Sequence, residues 1–141
     1  MHVIDGITHD CRYEVAWCTK YRRKVLQGDI ENRLAFLLVT EADNIQCEIA
    51  CLKITEDTVR MRISVNPQYG INRAVRHLKG LSSRTLRSEF PELKSRLPCL
   101  WTSNYFVITE SPGQDVADLI EEFVQNQERS QSKTRKNQEE K

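Results

Sequence analysis

Within Thr55 to Val65, TEDTVRMRISV, the period-two alternation of a strand sends Val59, Met61, Ile63 and Val65 one way and Thr58, Arg60, Arg62 and Ser64 the other. Two guanidinium groups on one polar face are suited to anions. Each is permanently charged and presents a planar fork of donors that matches the oxygens of a phosphate. Other cations are grouped in a similar way. Lys20, Arg22 and Arg23 lie in TKYRRK, and Arg73, Arg76, His77, Arg84 and Arg87 recur along one side of a helix-patterned segment, with Lys79 and Ser83 beside them. The formal net charge is only +1, so the clustering matters more than the total.

Other reactive residues are more scattered. Cys11, Cys18, Cys47, Cys51 and Cys99 form no C-x-x-C pair and have no histidine at zinc-site spacing, so they read as reduced thiols packing as small hydrophobes. At 141 residues the chain is long enough for one domain with its own core. That domain is expected over residues 1–127, because residues 128–141 contain no apolar side chain and should form a solvated tail or a frayed continuation of a helix. No apolar run reaches the length of a membrane span, and MHVIDGITHDCR lacks the basic-then-apolar pattern of a signal peptide. A cytoplasmic protein without a membrane partner is the expectation.

The elements that must position these residues follow from periodicity. RYEVAWCT, Arg12 to Thr19, alternates as a strand, and Asp29 to about Ala42 opens with a good N-cap and repeats its apolar residues at helical spacing. Cys47 to Thr55 and Asp57 to Val65 are β-rich runs joined through Glu56 and Asp57, the pattern of an antiparallel hairpin. After the turn NPQYG, the segment from Ile71 to about Phe90 is expected to be a helix with Ile71, Ala74, Val75, Leu78, Leu81 and Thr85 on its apolar side. Pro91 should end it, SRLPCLW should be a loop, and NYFVIT, Asn104 to Thr109, a further strand. A last helix from about Asp115 carries an apolar seam of Val116, Leu119, Ile120, Phe123 and Val124, with Gln127 one turn beyond Phe123. The order β-α-β-β-α-β plus a C-terminal helix predicts an α+β, ferredoxin-like antiparallel sheet with helices on one face.

Four segments, WCTKYRRKVL, HLKGLSSRTLRSEFPELKSRL, LWTSNYFVIT and FVQNQ, resemble the small single-tyrosine transposases of the HUH class found in compact bacterial insertion sequences and in repeat-associated relatives. The resemblance runs from about Tyr13 to Gln127 with the segments in the family's order. It implies a ferredoxin-like fold, a homodimer, and binding of imperfect DNA hairpins with cleavage of single-stranded DNA. In that chemistry two histidines flanking one hydrophobic residue, with a carboxamide from the last helix, hold magnesium or manganese against the scissile phosphate. A tyrosine on the last helix attacks the phosphorus and forms a phosphotyrosine link.

Carried over residue by residue, the resemblance places the family's Asp-His-Val-His run on Asp57, Thr58, Val59 and Arg60, and its nucleophile on Phe123. Gln127 alone of the set is retained. Threonine is a weak neutral ligand, arginine has no lone pair to give a metal, and phenylalanine has no oxygen to attack with. The expectation is a DNA-binding relative that holds no metal and does not cut, with Arg60 standing about where the metal's charge would be. Lys20, Arg22, Arg23, Arg62, Arg73, Arg76, Lys79, Ser83, Arg84 and Arg87 would supply the rest of the DNA contacts, and Tyr21 or Tyr69 a stacking surface.

Three other readings stand beside this one. The chain could still cleave DNA, using Tyr105 or Tyr21 as nucleophile and Asp57, His77 or Glu122 on a metal. It could be an RNA-binding module, although the open strand face carries Thr58, Arg60, Arg62 and Ser64 where such modules carry aromatics. It could be a remnant that binds active transposases through its dimer surface and last helix.

Overall fold

A computed structural model describes residues 2–109 and 117–127. Four strands, β3 (Arg12–Cys18), β4 (Glu48–Ile54), β5 (Thr58–Ser64) and β6 (Phe106–Thr109), form one antiparallel sheet in the order β4-β5-β3-β6. Helix α1 (Asp29–Asn44) follows β3, and α2 (Ile71–Glu89) follows β5. This is the ferredoxin-like order, with the first and third strands of the repeat at the centre and both helices on one face.

The core lies between the sheet and those helices. Val15 and Trp17 of β3 and Val59, Met61 and Ile63 of β5 meet Leu34 and Leu38 of α1 and Ala74, Val75, Leu78 and Leu86 of α2. In α2 the fully buried line runs Ala74, Leu78, Ser82, Leu86 at a spacing of four residues, so Ser82 and Leu86, not Leu81 and Thr85, complete the stripe. The reason is local: Trp101 packs edge-on against Trp17 and donates its indole N–H to Ser82 Oγ at 3.1 Å, so the core draws a small polar residue under the ring.

Three features depart from the sequence expectation. Before β3 stands a hairpin of β1 (His2–Ile4) and β2 (Ile7–His9), turned by Asp5 and Gly6 with φ of 52° and 77°. Pro91 ends α2 but also opens a short helix, α3 (Pro91–Arg96), where its fixed φ suits the first helical position. The last helix, α4, is described over residues 117–127, and it lies across the face of the sheet opposite α1 and α2, with Ile120 and Val124 on Ala16 and Cys18. The expected helix start at Asp115, the seam residue Val116 and the tail from Glu128 fall outside the described residues.

Candidate nucleic-acid interface

Strand alternation and register decide what the outer sheet face presents. From β5 come Thr58, Arg60, Arg62 and Ser64; beside them in β3 stand Cys18, Ala16 and Glu14, and in β4 Lys53 opposite Arg60 and Cys51 opposite Arg62. A bulge between Ile49 and Cys51 shifts the register of β4, so that Cys51 and Lys53 flank the two arginines. Helix α4 covers the other half of this face, where Phe123 packs on Phe106 of β6 with ring centroids 5.8 Å apart. The outer face is thus divided into an apolar part beneath α4 and an open cationic part of Lys53, Arg60 and Arg62.

The two arginines are not equivalent. Arg62 Nε donates to Oε1 of Glu14, a residue only 5% exposed. A carboxylate taken out of water needs a cation, so Arg62 serves the fold before any ligand. Arg60 is half-buried between Ala16 and Lys53, and among the described residues no carboxylate pairs with it.

At the start of β5 the polar groups are already engaged with one another. Thr58 Oγ1 donates to Asp57 Oδ1 at 2.9 Å, and Asp57 Oδ2 takes Nη2 of Arg22 at 2.9 Å. Cys18, directly across the ladder from Thr58, has its thiol pushed up by burial and so stays protonated. A divalent cation needs free anionic or lone-pair donors. These groups amount to a weak neutral hydroxyl, a carboxylate neutralised by Arg22, a protonated thiol and the Arg60 guanidinium. The donor set does not fit a metal. Gln127 is buried on α4, one turn past Phe123.

The stripe on α2 is equally uneven. Arg73, Arg76 and Arg84 are exposed, and Arg73 covers the ring of Tyr69 at 4.3 Å from its centroid. His77 instead binds Glu41 of α1 at 2.6 Å, a hydrogen bond that holds the Glu41 carboxyl below its usual range. Lys79 turns back into the protein, donating to the carbonyls of Thr102 (2.6 Å) and Asn104 (3.0 Å), and burial lowers its pKa to about 8. Arg87 is half-buried and reaches the Leu97 carbonyl at 3.4 Å, and Ser83 is half-buried beside it. Since α2 lies on the core side of the sheet, its arginines and Arg60 occupy opposite layers. A ligand touching both must pass round the molecule.

The turn after β3 connects to the outer face instead. Lys20–Arg22 is a tight turn, Arg23 follows it exposed, and the Arg22–Asp57 pair ties the turn to the start of β5. Of the residues proposed from sequence, Arg22 is therefore brought close to Thr58, with Lys20 and Arg23 in the same turn, while Arg73, Arg76 and Arg84 lie on α2 in the other layer. Sequence reasoning missed Glu14, although its alternation with Val15 already placed it on the same face as Ala16 and Cys18.

Three of the candidates for other chemistry are tied down, while Tyr21 and Glu122 are exposed. Tyr105 donates its hydroxyl to Asn72 Oδ1 at 2.7 Å, His77 is bound to Glu41 and Asp57 to Arg22. Among the described residues no three histidine, cysteine, aspartate or glutamate side chains gather as a metal set, and no helix is long and apolar enough to cross a membrane.

A family profile described as "Transposase IS200 like" matches residues 7–127. The ISDra2 transposase TnpA of Deinococcus radiodurans is 30% identical over 124 residues, covering 86% of this chain and 87% of that protein. The transposase for insertion sequence element IS200 of Salmonella typhimurium is 23% identical over 120 residues, 84% of this chain and 77% of its own. Among solved structures, a Deinococcus radiodurans R1 protein described as a transposase superposes with a TM-score of 0.81 at 31% identity, over 90% of this chain and 98% of its own. A REP-associated tyrosine transposase bound to a REP hairpin shares the fold, with a TM-score of 0.57 at 10% identity over 84% of this chain and 67% of its own.

Proposed function

The chain belongs to the IS200-like transposase family, and on that premise we propose that it binds single-stranded or hairpin DNA as a homodimer without cutting it. The observation that carries this reading is the state of the residues at the start of β5. Where the family resemblance calls for two metal-holding histidines stand Thr58, donated to Asp57, and Arg60, a fixed cation with no paired carboxylate among the described residues. Arg60 neutralises a phosphate in place of an exchangeable metal ion, and no cleavage follows because nothing there activates the phosphorus. Phe123 supplies apolar packing on Phe106 in place of a nucleophile.

The choice of hairpin DNA follows from the family, and a REP-associated tyrosine transposase of the same fold is bound to such a hairpin. Arg60, Lys53, Lys20 and Arg23 form the first grip on the outer face. Arg73, Arg76 and Arg84 would hold DNA that continues round to α2, or DNA bound by the other subunit of a dimer.

The test is a gel shift of the purified chain against hairpin, linear single-stranded and duplex DNA at two salt concentrations, with magnesium or manganese and a denaturing gel of the products. Salt-sensitive, hairpin-selective binding with intact strands is the expected result. Strand scission or a covalent adduct would overturn the inactive reading, and absence of all binding would overturn the DNA-binding one.

A further inference from the structure

The turn that follows β3 is built at a conformational cost. Tyr21 and Arg22 are consecutive non-glycine residues in the left-handed region, with φ of 58° and 50°. A single such residue is uncommon and two in succession rarer, and each persists only where the surroundings enforce it. The surroundings do so. Arg22 is held by Asp57 at 2.9 Å, Thr19 Oγ1 donates to the Arg23 carbonyl at 2.8 Å, and Lys20 N–H donates to the Leu100 carbonyl at 2.8 Å.

The product of that strain is an aromatic side chain turned outward. Tyr21 is 40% exposed, whereas the hydrophobic bodies of Tyr13, Tyr69 and Tyr105 pack against the core. A face of Tyr69 is also taken by Arg73 at 4.3 Å, so of the two tyrosines the sequence offered as stacking surfaces, Tyr21 is the more exposed. Lys20 Nζ stands 5.4 Å from the Tyr21 centroid, a loose contact on a flexible chain, and Arg23 is exposed on the other side of it in sequence. An exposed ring on a backbone fixed by its neighbours, with long cationic side chains on either side that can swing onto backbone phosphates, is the arrangement that binds an unpaired nucleobase.

We infer that Tyr21 is the stacking platform for one unpaired base of the bound DNA, with Lys20 and Arg23 on the adjoining phosphates and the Arg22–Asp57 pair as the positioning device. The inference rests on the proposed DNA-binding function and adds to it the position that reads single-strandedness. Base stacking is tolerant of sequence, so the platform selects an unpaired nucleotide and not a particular base.

The experiment walks one abasic nucleotide through the loop and single-stranded flanks of the hairpin bound in the gel shift, and measures affinity for the wild-type chain, Tyr21→Ala and Tyr21→Phe, with folding of each checked by circular dichroism. One abasic position should weaken the wild type about tenfold, within the range of a lost base–aromatic stack. Tyr21→Ala should bind the intact hairpin about as weakly and become indifferent to that abasic position, while Tyr21→Phe behaves as wild type. Undiminished binding by a folded Tyr21→Ala, continued sensitivity of that variant to the same position, or a wild type indifferent to every abasic substitution would each sink the platform while leaving DNA binding intact. A wild type that binds no DNA would remove both.

Discussion

Glu14 and Arg62 face each other across β3 and β5, and their pairing separates the two arginines of the outer face into one that holds the fold and one available to a ligand. Glu14 is buried and Arg62 mostly exposed, so the pair is intermediate between a surface ion pair and a buried one. Replacing Arg62 with alanine strands a buried carboxylate and should cost about 1–3 kcal/mol in urea unfolding. Arg62→Ala combined with Glu14→Gln should recover much of that loss. Arg60→Ala should leave stability within about 0.5 kcal/mol and show its effect on DNA affinity alone. Equal stability losses for the two single variants would refute the division of labour.

Phe123→Tyr restores a hydroxyl at the position where the family resemblance places the nucleophile, on a half-buried ring that packs on Phe106. The hydroxyl alone should accomplish nothing, because Thr58 is only a weak neutral ligand and Arg60 repels a divalent ion. The variant is expected to fold with a stability change below about 1 kcal/mol and to give no protein–DNA adduct on a denaturing gel with manganese present. An adduct from this single substitution would mean that a metal reaches the site after all.

How much of this was legible beforehand varies with the range of the interactions. The alternation of β5 and the helical repeat of α2 are local patterns, and both elements stand where periodicity put them. The β1–β2 hairpin escaped notice because its strands are too short to show alternation, although Asp5-Gly6 is a strong turn signal once each φ is known to be positive. The fate of each cation was not legible. Whether Arg62 or Arg60 meets Glu14 depends on the register of strands far apart in sequence, and whether Lys79 reaches solvent depends on what loop passes beside α2.

That loop gives Lys79 a pH signature. Burial lowers its pKa from 10.5 to about 8 in the folded chain, so between those values the unfolded chain binds more protons than the folded one. Stability contributed by this site must therefore rise as pH climbs from about 8 to 10.5, and below 8 folding carries the full cost of burying the charge. Cysteines and tyrosines titrate in the same window, so the quantity to measure is the difference in unfolding free energy between the wild type and Lys79→Met. That difference should shift in favour of the wild type as pH rises from 8 to 10.5. A difference independent of pH would show that the ammonium is solvated.

The exposed stripe makes a prediction that separates electrostatics from fold. Arg73, Arg76 and Arg84 reach solvent, while Lys79 and Arg87 are turned onto backbone carbonyls of Thr102, Asn104 and Leu97. Each phosphate contact removed should lower the slope of log affinity against log salt by about 1, roughly equally for every DNA of the same form. Arg76→Ala is chosen because it disturbs neither the Tyr69 ring nor a core contact, so its loss should appear in the salt slope and not in stability. Lys79→Met should do the reverse, changing stability with an unaltered slope. A slope unchanged by Arg76→Ala and equally by Arg84→Ala would confine the DNA to the outer face, with Arg60 and the Lys20–Arg23 turn carrying the contact and α2 serving only as the wall of the core.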